Sequence, residues 1–291
     1  MSIVAGLEHI LRENEPLAPF TRLNLGGVAE YFAEPTNEAE LVELVNRFSK
    51  SDLPIRLIGS GSNLLVREEG VPGLVISLAA PEFCQLKVND HQLIASGGTK
   101  LSHFVSTAVR EGFSGPENLV GLPGTIGGAL HQNTGVNGYD IGSSLIGARV
   151  MTRNGEILNR DRYALSFSYN RSSLDELVIL DATFQYERED PEMLTKRMQK
   201  LWIVRRSQQP VTESSVYVFK DSGAESASDL IEQSGLKGTR VGDVEISERN
   251  PNSFIAHPNA TSADVLRLID LVKNQVSDKL GVNIETALEI W

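Results

Sequence analysis

The sequence has one cysteine, Cys84, so no disulfide can form within the chain. That excludes a disulfide-stapled secreted fold and points to a reducing compartment. Cys84 has no histidine or second cysteine at ligand spacing and reads as a small apolar filler. The histidines, His131 and His257 included, show no metal-ligand spacing either, so no metal is expected. Basic charge is short: 27 Lys and Arg stand against 38 Asp and Glu, for a net charge of −11. Nucleic-acid binding, whose affinity comes from neutralising phosphates, is therefore not expected. An anionic small ligand stays open, because a site uses local charge and backbone N–H groups. No run approaches the ~18 apolar residues of a membrane span. The opening "MSIVAGLEHILRENEP" lacks a basic segment followed by an apolar run, so no signal peptide is expected and the expected location is cytoplasmic. Internal repeats, low-complexity tracts and long charge runs are lacking, and nothing points to a protein partner.

What is present suits a globular protein of two or three domains: 291 residues, 41% hydrophobic and 22% charged. Residues 36–50 read as a helix capped by Asn37, with Glu40 closing a capping box. "LPIRLIGSGSNLLV" reads as strand, small polar turn, strand, and "EEGVPGLVISL" as a turn and third strand. "QLKVNDHQLIASGG" suits a hairpin at "ND". "TKLSHFVSTAVREGFSG" reads as an amphipathic helix capped near Thr99 or Ser102. "IGARVMTRNGEILNR" suits a hairpin at Asn154-Gly155, and "LVILDATFQYERE" a strand. A long helix follows in "DPEMLTKRMQKLWIVRRSQQP", with Asp190 as cap and Pro191 in its first turn. "SASDLIEQSG" and "SADVLRLIDLVKNQVSDKLG" predict two more helices, the second ended by Gly281. "VNIETALEIW" reads as a last strand. These elements mix rather than alternate, which gives an α+β class.

Two glycine-rich loops stand out. Gly59-Ser60-Gly61-Ser62-Asn63 superficially suggests a dinucleotide-binding turn, but Leu64 takes the third glycine position and a strand follows, so that reading fails. A tight turn and an anion cradle remain equally open there. "GLPGTIGGALHQNTGVNG" is more specific. Glycines at this density let backbone approach a flat or anionic ligand. Leu122, Ile126, Ala129 and Leu130 argue against a flexible linker. A large phosphate-bearing cofactor is the expected ligand.

Together these stretches resemble the UDP-N-acetylenolpyruvoylglucosamine reductase (MurB) family across nearly the whole chain and in the right order. The carriers are "TRLNLGGVAEYF", "GSGSNLLV", "GLPGTIGGA", "RRSQQP", "DLIEQSGLKG" and "GVNIE". The resemblance implies an FAD-binding fold of the vanillyl-alcohol-oxidase type with a substrate domain. The implied layout is a first FAD-binding lobe over 1–78, to which a C-terminal strand at 283–291 returns, a second lobe over 79–200, and a substrate domain over 201–282. It implies an FAD-dependent, NADPH-linked reductase of the peptidoglycan-precursor pathway that turns UDP-N-acetylglucosamine enolpyruvate into UDP-N-acetylmuramate. FAD would be held by Gly59, Ser60, Gly61, Ser62 and Asn63, and by Gly121, Pro123, Gly124, Thr125, Gly127, Gly128 and Ala129. Tyr169, Lys220 and Lys237 would bind the nucleotide-sugar substrate.

The chain departs from the family where the chemistry is done. Hydride addition to the enolpyruvyl group leaves an enolate-like carbon that needs stabilising charge and a proton donor. The family uses an arginine, a glutamate and a serine. Those positions read Asn170, Ala287 and Tyr217 here. Arg171, Glu285 and Tyr217 are the candidate substitutes, with Glu289 a further acid two residues beyond Ala287. A one-residue slip in a strand turns a side chain to the other face, so Arg171 substitutes only if that segment is a loop or bulge. Tyr217 could donate the proton, stack on the flavin or plug the pocket. Asp221 and Ser222 replace an asparagine and a proline of the family, and a carboxylate there would repel a diphosphate unless screened. The alternative reading is a catalytically silent or repurposed FAD-binding protein.

Overall fold

The computed structural model describes residues 3–136, 138–210, 212, 214–221 and 225–291. In chain order its elements are β1 (Leu11–Pro16), β2 (Val28–Ala33), α1 (Glu38–Phe48), β3 (Ile55–Ile58), β4 (Leu64–Leu65), β5 (Val71–Ser77), β6 (Leu86–Asn89) and β7 (Gln92–Ser96). Next come α2 (Leu101–Arg110), α3 (Ile126–His131), β8 (Gly135–Val136), β9 (Tyr139–Asp140), β10 (Leu145–Met151), β11 (Ile157–Asp161), β12 (Phe167–Ser168), β13 (Arg171–Ser172) and β14 (Val178–Gln185). The last are α4 (Pro191–Gln208), β15 (Ser215–Tyr217), α5 (Ala227–Gln233), β16 (Arg240–Val241), β17 (Val244–Ile246), β18 (Ser253–Ala256), α6 (Ser262–Leu280) and β19 (Glu289–Ile290). The mix is α+β, as the sequence leads one to expect. The chain divides into two compact units: Met1–Glu13, Tyr31–Gly59 and Pro72–Arg206 form unit 1, and Asn14–Glu30, Ser60–Val71 and Ser207–Trp291 form unit 2.

Unit 1 is built on a five-stranded antiparallel sheet of order β11-β10-β14-β7-β6. Alternation along its strands gives each face its own apolar set. Leu93, Ala182 and Phe184 pack with Phe104 of α2 and Leu130 of α3 in one buried cluster. Met151, Val178 and Leu180 pack in a second cluster with Leu41, Leu44, Val45 and Phe48 of α1 and with Leu74 and Ile76 of β5. The Asn154-Gly155 hairpin forms, with Met151 paired to Ile157 and Gly155 at φ 77°. The "ND" hairpin forms one residue later than read: Asn89 pairs with Gln92, leaving Asp90-His91 as the loop.

Two helix caps differ from the sequence expectation. At α2 the N-cap is Lys100, and no side chain caps it; Thr99 instead donates its hydroxyl to Gln85 O. At α1, Asn37 does accept from Glu40 N. The Glu40 carboxylate, however, takes Thr36 N and Thr36 Oγ1 at 2.7 and 2.8 Å, one residue outside the box. Those bonds, led by the Thr36 backbone and followed by His9, hold the Glu40 carboxyl down at about 2. A depressed folded pKa gives stability that is present above the unfolded value near 4.5 and is lost as pH falls toward 2. Glu40→Gln is therefore expected to flatten the stability–pH curve between pH 4.5 and 2 and leave its shape above pH 5 unchanged. Urea midpoints across that range check it.

Unit 2 centres on a sheet of order β15-β18-β17-β16. Val216, Val244, Ile246 and Phe254 of its strands are buried with Leu230 and Ile231 of α5 and the stripe Val265, Leu268, Ile269, Val272 and Val276 of α6. The α6 ends follow local rules: Thr261 and Asp264 form a full capping box, and Gly281 closes the helix at φ 69°. "VNIETALEIW" is not one strand. Only Glu289–Ile290 pairs, in parallel with β4, and Thr286 makes an isolated bridge to Phe219. The cause is a tertiary contact: Ala287 N and Leu288 N both point at Val218 O, at 2.8 and 3.3 Å, which breaks the alternation.

Candidate cofactor loops and active site

The first glycine loop links β3 to β4. Gly61 sits at φ 59°, and a Cβ there would lie 2.0 Å from Phe20 O, so only glycine fits. Among the described residues, the backbone N–H groups of Ser60, Gly61, Ser62 and Asn63 have no acceptor. Consecutive unpaired N–H groups on small residues form an anion-binding concavity. The segment is a tight turn, and its unpaired N–H groups give it the donor set that an anion cradle requires.

The second loop is stitched to "SGGT" at the end of β7, a segment the sequence reading placed in a hairpin and a helix cap but not in the site. Ile126 N donates to Thr99 O at 2.9 Å and Gly127 N to Gly97 O at 2.8 Å. Gly97 must be glycine, because a Cβ would lie 1.9 Å from Ile179 O. Thr125 caps α3 by accepting from Gly128 N. Within unit 1, a Cβ on Gly59 would lie 2.9 Å from Thr125 Oγ1. Ala129 is buried, whereas Gly121, Pro123 and Gly128 are exposed. The free N–H groups of Ser60 to Asn63 in the first loop, and of Gly121, Gly124 and Thr125 in the second, each fit a phosphate-bearing cofactor, and no carboxylate pairs with them among the described residues. The double glycine at 97–98, directly after a strand, is the signal that could have found the support.

In unit 2 the chain leaves β15 at Tyr217, which pairs with Ser253 and is 39% exposed between buried Val216 and Val218. Asn252 then brackets Phe219, accepting from its N–H and donating to its carbonyl, both at 2.8 Å. Lys220 N donates to Glu285 O, and Lys220 Nζ lies 3.2 Å from Glu285 Oε2. Asn63 Nδ2 donates to Ala287 O at 2.9 Å. The fold thus gathers Tyr217, Lys220, Glu285, Ala287 and Asn63. Asn252, which holds the turn between them, was not singled out in the sequence; an asparagine beside Pro251 is a faint signal.

The remaining candidates are placed as follows. Glu289 accepts from the Trp291 indole through Oε1. Asp221 Oδ1 accepts from Ala227 N at the start of α5, which turns it to a structural partner. Ser222 lies outside the described residues. Lys237 pairs with Glu232. In unit 1, β12 and β13 form a hairpin in which Ser168 pairs with Arg171, so Tyr169 and Asn170 are its two-residue loop. Asn170 takes φ 49°, a conformation asparagine tolerates. The strand-slip argument therefore does not apply to this segment. Tyr169 is 62% exposed. Arg171 is exposed, with no hydrogen bond or ion pair among the described residues. A separate cleft of about 640 Å³ in unit 2 is lined by Leu23, Asn24, Ser214 and the His257–Glu245 pair, and it includes neither Tyr217 nor Lys220.

The sequence family described as "FAD binding domain" matches residues 29–160, and that described as "UDP-N-acetylenolpyruvoylglucosamine reductase, C-terminal domain" matches residues 208–291. Both glycine loops fall in or beside the first span, and the Tyr217–Lys220 turn falls in the second. The chain is therefore of the flavoprotein class. A UDP-N-acetylenolpyruvoylglucosamine reductase of Rhodopirellula baltica is 39% identical over 98% of this chain and 94% of its own length. One from Listeria innocua is 34% identical over 99% of this chain and 98% of its own. The crystal structure of the enzyme from Thermus caldophilus superposes with a TM-score of 0.82 at 31% identity, covering 97% of this chain and 99% of that one. The chain belongs to the UDP-N-acetylenolpyruvoylglucosamine reductase family.

Proposed function

We propose that the protein is an FAD-dependent, NADPH-linked reductase that converts UDP-N-acetylglucosamine enolpyruvate to UDP-N-acetylmuramate, with Tyr217 as proton donor. When bound, FAD supplies hydride, gained from NADPH, to the enolpyruvyl double bond. The observation that carries the reading is the gathering of Tyr217 and Lys220 beside Asn63 in a chain of this family. The reading assigns 1–78 and 79–200 to the two FAD-binding lobes and 201–282 to the substrate domain. The free N–H groups of Ser60 to Asn63 suit the cofactor's diphosphate, and the family resemblance assigns Gly121 to Ala129 to the cofactor as well. Lys220, steadied by Glu285, brings positive charge to the developing enolate and the substrate's phosphates. Tyr217, partly exposed at the end of β15, would deliver the proton to the carbon next to the carboxylate. Tyr169 and Lys237 would complete the nucleotide-sugar contacts.

A second reading, an FAD-binding protein without turnover, is favoured by Ala287. A methyl group stands where the family has a carboxylate, and Glu285 and Glu289 are already engaged by Lys220 and Trp291. Steady-state NADPH oxidation with the enolpyruvyl substrate separates the two: substrate-dependent turnover supports the first, and bound FAD with no turnover the second.

A further inference from the structure

Helix α4 buries only one residue fully, Leu194, with Met198 partly buried on the core, and its cations add contacts to the rest of unit 1. Arg197 pairs with buried Glu117, and the Arg205 guanidinium donates to Asn118 O and Val120 O, the carbonyls just before the second glycine loop. One turn away, Trp202 Cδ1 lies 3.8 Å from where a Gly121 Cβ would stand. Trp202 is nonetheless 43% exposed, and Arg206 lies over its ring with Cζ 5.1 Å from the centroid. Beyond that ring contact, Arg206 has no ion pair or hydrogen bond among the described residues. An unpaired guanidinium is thus held by an indole beside a loop in which the N–H groups of Gly121, Gly124 and Thr125 have no acceptor among the described residues.

We propose that Arg206 binds the diphosphate of the cofactor and that Trp202 is the positioning residue that holds it there. This rests on the FAD reading above. An i,i+4 Trp–Arg pair on an exposed helix could also serve helix stability alone. A stacked guanidinium keeps its fork of N–H donors free for phosphate, which a solvated lysine does not present in the same way. The exposed neighbours Ile203 and Val204 leave self-association as the competing use of this surface.

The test is an FAD titration of flavin-stripped protein, followed by flavin fluorescence at several salt concentrations, with riboflavin as the phosphate-free probe. Arg206→Gln is expected to weaken FAD about ten-fold, flatten the salt dependence and leave riboflavin unchanged. Trp202→Leu is expected to weaken FAD by a similar factor, and the double variant by less than the product of the two. Arg206→Lys is expected to restore the salt dependence but not the full affinity. If wild type binds FAD and Arg206→Gln matches it in affinity and salt slope, the proposal is overturned while the cofactor reading stands. Equal weakening of FAD and riboflavin overturns the phosphate role. A Trp202→Leu variant changed in sedimentation but not in FAD affinity overturns it in favour of self-association. Wild type that takes up no FAD overturns the cofactor reading and the proposal with it. Circular dichroism checks folding, and the two Arg206 variants carry the test if Trp202→Leu does not fold.

Discussion

Tyr217→Phe is expected to lower turnover about a hundred- to thousand-fold while leaving FAD content and flavin reduction by NADPH intact, the size typical of losing a positioned proton donor. The substitution keeps the ring and removes only the hydroxyl, so it separates chemistry from shape. The ring's setting is defined: Tyr217 ends β15 opposite Ser253, and the next two residues are fixed by Val218 O on Ala287 N and by Asn252 on Phe219. The phenyl ring should therefore stay where the phenol was. Tyr217→Ser is the companion. A loss like that of the phenylalanine variant supports the donor role, whereas a gain means that the tyrosine blocks a site the family keeps open. Stopped-flow measurement of the two half-reactions checks both, because only the second requires the proton. Unchanged turnover in both variants would remove Tyr217 from the mechanism.

Gly61→Ala should be the most damaging change in the cofactor site. It meets two obstacles together: φ 59°, which costs a non-glycine residue about 1 kcal/mol, and Phe20 O at 2.0 Å from the new Cβ. Backbone cannot give way as a flexible side chain does, so the turn must move. Gly61 O also accepts from Arg22 N at 3.1 Å, so the shift reaches the 17–27 segment. A destabilisation of about 3 kcal/mol and a fall in FAD affinity of at least about a hundred-fold are expected. Ser60→Ala is the control. Ser60 is exposed and its side chain makes no hydrogen bond among the described residues, so its fold stability should be unchanged. Equal flavin content in Gly61→Ala and wild type, read from the visible spectrum, would show that this loop does not hold the cofactor.

Much of the local structure around the candidate site was legible in the sequence where local chemistry decides. The two glycine loops stand out, and Gly61's conformation is one only glycine tolerates; Gly97, whose approach to Ile179 O also requires glycine, was not singled out. The hairpin at Asn154-Gly155 and the ends of α6 follow from turn and cap residues alone. What the sequence misled on were cases in which tertiary partners override local preference. Glu40 turns to Thr36 instead of Asn37, and Lys100 begins α2 because Thr99 is bonded to Gln85. The C-terminal segment reads as a strand by composition, but Val218 O captures two of its N–H groups and ends the alternation. Asn252 illustrates the hardest class. Its importance lies in bracketing a residue 33 positions away, and no local pattern reports that. The "YNRSS" departure was likewise opaque, since one residue more or less in a hairpin loop changes every assignment after it.

The most direct measurement uses one anaerobic sample of the purified protein. Its visible spectrum is recorded, NADPH is added to bleach the flavin, and UDP-N-acetylglucosamine enolpyruvate is then mixed in. The expected result is an oxidised FAD spectrum, bleaching by NADPH, and return of the oxidised spectrum with formation of UDP-N-acetylmuramate. Flavin that bleaches and stays bleached after the enolpyruvyl substrate is added would contradict the proposed activity.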